Sequence, residues 1–75
     1  MLKLRAYMPD EYAYDKAART YRTRGGLALK YAPRDMRDAR RTASFVNGRT
    51  GAVLFEVQDA NGKRLAYITP PKVNV

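Results

Sequence analysis

Residues 40–71 read RRTASFVNGRTGAVLFEVQDANGKRLAYITPP, and apolar side chains alternate with polar ones through most of this stretch. A period of two puts every second side chain on the same face, the pattern of half-buried strands. Asn-Gly occurs twice here, at Asn47-Gly48 and Asn61-Gly62. Both residue types accept the positive φ that tight hairpins demand. The pattern predicts three strands, at 43–46, 52–57 and 63–69, joined as an antiparallel meander. Val53, Phe55 and Val57 share one face of the middle strand, while Ala52 and Leu54 make the other face apolar too. That suits a central strand. Pro70-Pro71 stops the last strand, because proline cannot donate to a ladder, and 72–75 reads as a tail.

The N-terminal half predicts two helices and two further strands. Leu2, Leu4, Ala6 and Met8 alternate with Lys3, Arg5 and Tyr7, again a half-buried strand. Pro9-Asp10-Glu11 suits a helix start, with acids at the positive end of the dipole. Tyr14, Ala17, Ala18 and Tyr21 then fall at helical spacing, Lys16, Arg19 and Thr23 lie opposite, and Asp15 is one turn from Arg19. Gly25-Gly26 would end this helix at Arg24 with a left-handed cap. Leu27, Leu29 and Tyr31 alternate as a second strand closed by Pro33. RDMRDARRT at 34–42 predicts a short charged helix with Met36, Ala39 and Ala43 as its apolar stripe. The expected fold is a single α+β domain over 1–71, in the order β-α-β-α-β-β-β, with helices on one face of an antiparallel sheet.

A chain of 75 residues buries a thin core, and this one has no cysteine to supply a disulfide or zinc staple. The missing cysteine and the lack of any long apolar run predict a soluble, intracellular protein of the cytoplasm, with no membrane span. Histidine is absent as well, which removes the commonest general base and metal ligand. Ser44 is the sole serine and has no glycine-flanked elbow around it. Gly25-Gly26 lacks the Lys-Ser/Thr of a phosphate-binding loop. Asp10 with Glu11, or Asp35 with Asp38, could in principle hold Mg²⁺ or act as an acid–base pair. Helix-start and charge-offsetting roles account better for both. The expectation is a binding protein without catalytic groups, metal or cofactor.

Net charge is +8, with ten arginines against five lysines. Such a surface is drawn to polyanions or to an acidic patch on another protein, and arginine grips phosphate or carboxylate with a planar fork. Arg19, Arg22 and Arg24 form one candidate cluster. Arg34, Arg37, Arg40 and Arg41 form the other, in which positions 34, 37 and 41 would share a helical face. Basic residues also stabilise helix C-termini, which covers two or three of these seven arginines but not all. Among the six tyrosines, Tyr7 and Tyr12 are the candidates for exposed contact residues, Tyr14, Tyr21 and Tyr67 for the core, and Tyr31 is open. Exposed tyrosines beside arginines serve base stacking or protein interfaces.

Over residues 1–24 the strand, PDE turn and expected helix resemble ribbon-helix-helix repressors, whose N-terminal strand pairs across a dimer and enters the major groove. The match ends at LALKYAP, which is extended where that family has its second helix. YMPDEYAYDK and VLFEVQDANGKRLAYITPP are similar to small bacteriophage regulators that bind host RNA polymerase. The resemblance implies a non-enzymatic protein that docks on the polymerase and alters initiation or termination. The expected partner is then a larger acidic protein. Direct DNA or RNA binding through the arginine clusters is the alternative, and a basic structural subunit of a larger particle the third.

Overall fold

The computed structural model describes residues 1–69. Strand β1 (Lys3–Tyr7) lies inside a four-stranded antiparallel sheet ordered β4-β1-β5-β6, where β4 is Leu27–Ala28, β5 is Leu54–Gln58 and β6 is Arg64–Ile68. The β1–β5 register sets Leu4 against Val57 and Ala6 against Phe55, and Phe55 is in turn opposite Ile68 on β6. Alternation puts all five of these side chains on one face. Helix α1 (Met36–Thr50) covers that face with Ala39, Ala43 and Val46, completing the main core with Ala52. The class is the expected one, an α+β domain with antiparallel sheets.

The other face is also covered. Tyr7 and Leu54, paired in register, are buried there at 4 % and 0 % exposure. A second, two-stranded sheet of β2 (Tyr12–Asp15) and β3 (Thr20–Thr23) reaches this face, where Tyr21 meets Tyr67 of β6 edge-on at 5.1 Å.

That hairpin replaces the helix expected after Pro9. Pro9–Glu11 makes one 3₁₀ turn and the chain then extends. The Asp15 carboxylate accepts hydrogen bonds from the N–H groups of Ala17 and Ala18 at 3.0 and 3.2 Å, which closes a turn in place of a helix. Arg19 follows at φ 54°, outside the helical region. A separation of seven places Tyr14 and Tyr21 on one face of a helix, but it also sets them opposite each other in a hairpin, as they are here. Aromatic cross-strand pairs and the strand preference of tyrosine decide for the hairpin. Asp15 pairs with Arg22 across it, not with Arg19.

Two further expectations are corrected. The strand at 27–31 shortens to Leu27–Ala28, although Leu29 N–H still donates to Leu4 O at 2.9 Å. The helix expected at 34–42 runs instead from Met36 to Thr50, absorbing the strand at 43–46 and the Asn47-Gly48 turn. The cause is an apolar stripe that continues at helical spacing through Met36, Ala39, Ala43 and Val46, with Gly51 at φ 81° as the left-handed cap. The meander is therefore a single hairpin, β5–β6, and one helix, not two, covers the sheet. Its Asn61-Gly62 turn forms as expected: Asp59 Oδ1 accepts from Asn61 and Lys63 N–H, both at 2.9 Å, and Gly62 takes φ 86°. The stop at Pro70-Pro71 and the tail at 72–75 lie outside the described residues.

Asp35 caps α1, its carboxylate accepting Asp38 N–H at 2.9 Å. Asp35→Ala should cost about 1 kcal/mol, which lowers the melting temperature by roughly 4–8 °C in a domain this small. A thermal melt followed by circular dichroism checks it.

Candidate interaction surface

The arginines divide between two regions. Arg19 occupies the β2–β3 turn, and Arg22 on β3 is exposed, with Nε 2.8 Å from Asp15 Oδ2. Arg24 follows the strand and donates through its guanidinium to Asp10 O at 3.4 Å. No helix C-terminus gathers these three, but Arg22 and Arg24 line one concavity of about 310 Å³ with Asp10 and Glu11, while Arg19 stays in the turn. The second cluster also comes together. Arg34, Arg37 and Arg41 line one shallow concavity of about 300 Å³ around the start of α1, and Arg40 is exposed beside them. Asp35 and Asp38 line the same concavity, and Asp38 accepts Arg34 N–H at 3.2 Å. Charges of both signs alternate there.

The tyrosine assignments change more. Tyr7 is buried because the face of β1 opposite the helix is covered too. Tyr12 is half-buried, edge-on to Tyr21 at 5.7 Å. Tyr14, expected in the core, is 54 % exposed. Tyr21 and Tyr67 are partly buried, and the Arg64 guanidinium sits over the Tyr67 ring at 5.2 Å while donating to its hydroxyl at 3.0 Å.

A second aromatic feature escaped the sequence reading. Phe45, assigned there to a strand, projects from α1 at 51 % exposure, edge-on to Tyr31 at 6.3 Å, with the Arg49 guanidinium 5.4 Å over its ring. Phe45 lies outside the Met36, Ala39, Ala43, Val46 stripe. Once the helix is extended to Thr50, that offset was the available signal. Leu27 and Met8 are exposed too.

A glycine clasp fixes the loop that carries Leu27. Arg5 donates from Nη2 to Gly25 O at 2.8 Å, and Glu11 accepts from the N–H groups of Met8 and Gly26 at 2.8 and 3.0 Å. These two backbone donors, with Arg24 and Arg5 nearby, hold the Glu11 carboxyl below its ordinary value. Asp15 is lowered likewise, first by Ala18 N–H and then by Arg22. A carboxylate with a depressed folded-state pKa stabilises the fold above its unfolded-state value and loses that contribution as pH falls through the folded one. Melting temperature should therefore fall as pH drops below 4.5, the ordinary Glu11 value. Glu11→Gln should flatten that acid limb, which melts at stepped pH would record.

Among the described residues no group of three or more acidic, histidine or cysteine side chains could hold a metal ion, and no helix is long and apolar enough to cross a membrane. The fold and surface define a small basic α+β domain with an aromatic patch on its helix. No protein-family model, curated protein or solved structure matches the chain.

Proposed function

We propose that this is a non-enzymatic binding protein that docks α1 and its flanks on an acidic surface of a larger protein. RNA polymerase is the partner to which the resemblance to phage regulators points, and the consequence would be altered initiation or termination. The observation that carries this reading is Phe45, an exposed phenylalanine on an arginine-rich helix, paired with Tyr31 and covered by Arg49. Aromatic and arginine side chains dominate the energetic centres of protein interfaces. The net charge of +8 would speed encounter with an acidic surface. A modest interface of around 1,200–1,600 Å² is the expected scale.

Nucleic acid is the second reading, favoured by the convergence of Arg34, Arg37 and Arg41 on one concavity. Asp35 and Asp38 in the same concavity weigh against it, since they repel phosphate. Nuclease-treated RNA polymerase, duplex DNA and RNA, each titrated against the purified chain, separate the two. The leading reading expects a saturable complex with the polymerase. Replacing Arg34, Arg37 and Arg41 together by alanine should slow its association by about tenfold at low salt, and by less as salt rises. Binding to DNA or RNA with a steep salt dependence, and none to polymerase, would replace the leading reading with the second.

A further inference from the structure

We propose that the cleft between β4 and α1 is a socket for one leucine-sized side chain carried by an acidic, extended segment of the partner protein. This deepens the docking reading above and rests on it.

The cleft is walled by Ala6, Leu27, Leu29, Val46 and Ala52, with Met8 among its linings, and encloses about 110 Å³. Small-molecule sites run from about 300 to 1,000 Å³, so a cofactor or metabolite does not fit. An apolar cavity of about 150 Å³ takes up benzene and otherwise stays dry, which sets the scale here at a single side chain. Leu27 is 66 % exposed and Met8 39 %, so the socket is open to a visitor.

Charge selects the occupant. Arg49 lies over Phe45 and precedes the lining residue Thr50 in the chain. Arg5 donates to Gly25 O, next to the Gly26 N–H that Glu11 accepts, and Arg24 donates to Asp10 O, next to Glu11 itself. Glu11 is the only acid lining the cleft among the described residues, and its two oxygens already accept Met8 and Gly26 N–H. The rim therefore favours carboxylates. A second copy of this chain would bring its own +8.

Backbone geometry selects the conformation. Leu29 N–H donates to Leu4 O, and hydrogen-bonded pairs alternate along an antiparallel ladder. Ala28, one residue back, therefore turns its N–H and C=O away from β1, at the free edge of the sheet. An extended segment can pair there and place a side chain beside Leu27 and Leu29.

The test uses the full chain and two synthetic acidic heptapeptides, one with a central leucine and one with serine in its place. Titration followed by methyl and amide NMR should shift the Leu27, Leu29 and Val46 methyls and the Ala28 amide with the leucine peptide. The serine peptide should bind at least tenfold more weakly, the fold-change expected from burying one leucine. Equal affinity for the two peptides, no shift with either, or shifts of these methyls with anionic lipid vesicles alone would overturn the proposal. Leu27→Ser alters an exposed position, so the fold should persist, and it should abolish the leucine preference. RNA polymerase bound equally by wild type and Leu27→Ser would sink the socket and leave the docking reading standing. Seating of the leucine peptide without any polymerase binding would do the reverse.

Discussion

Phe55→Ala should remove a quarter or more of this protein's stability, while Phe45→Ala should leave it nearly unchanged. These are the chain's two phenylalanines. Phe55 is 0 % exposed at the centre of the sheet, between Ala6 and Ile68 in register, and it packs in the cluster beneath α1. Truncating a buried phenylalanine costs about 3–5 kcal/mol, part transfer and part cavity. Domains carry about 0.05–0.15 kcal/mol of stability per residue, or roughly 4–11 kcal/mol here. The melting temperature should therefore drop by roughly 12–40 °C. Phe45, 51 % exposed on the helix surface, belongs to the class of substitutions that stay within about 0.5 kcal/mol. Urea denaturation of both variants measures the contrast. Comparable losses would mean that the two aromatic faces of the molecule are wrongly assigned.

The second large effect is expected at Gly26, and Gly62 is its control. The two glycines share nearly the same backbone, φ 85° and 86°. An alanine at either pays the left-handed penalty of about 1–2 kcal/mol. They differ in what a new methyl meets. At Gly62 nothing lies within 4 Å. At Gly26 the added carbon would fall 2.5 Å from Tyr7 Cε1 and 2.8 Å from Cδ1. Tyr7 is buried, so its ring cannot swing aside. Gly26→Ala should thus cost at least about 2 kcal/mol more than Gly62→Ala, in the range of overpacked interiors. It should also loosen the clasp made by Arg5 and Glu11, visible as faster hydrogen exchange at the Gly26 amide. Equal stabilities for the two variants would show that Tyr7 does not press on this loop.

The strands β1, β5 and β6 were legible because each combines a period of two with a firm stop, and Asn61-Gly62 marked its turn without competition. The errors cluster where two periods fit the same residues. Tyr14 and Tyr21 are seven apart, which satisfies two helical turns and a four-residue hairpin loop alike. The Asp15 turn, the cross-strand tyrosine pairs and the Tyr67 ring across the fold choose the hairpin. Asn47-Gly48 was the reverse case. Its turn chemistry is strong, but Gly48 faces open space on the helix and Gly51 provides the real stop. Arg37 and Arg41 lie one turn apart on α1 as their spacing predicts, whereas Arg34 precedes the Asp35 cap and meets them only at the concavity. Tyr7 was misplaced because burial on the second face depends on a layer that pairing alone cannot reveal. The cleft beside β4 joins residues from β1, the β4 loop and α1, and no window of sequence contains it.

The pairing of β1 has a consequence for how the chain is made. Leu4 finds Val57 roughly fifty positions later, whereas its earlier neighbour β4 offers two residues. Ribosomes add about 5–20 residues per second, so β1 waits about 3–10 s for its principal partner. Collapse of a short chain needs on the order of 100 μs or less. Translation therefore sets the earliest moment at which the core can close. Until then the nascent chain displays an apolar-faced strand with one short companion, the form in which a chaperone would meet it.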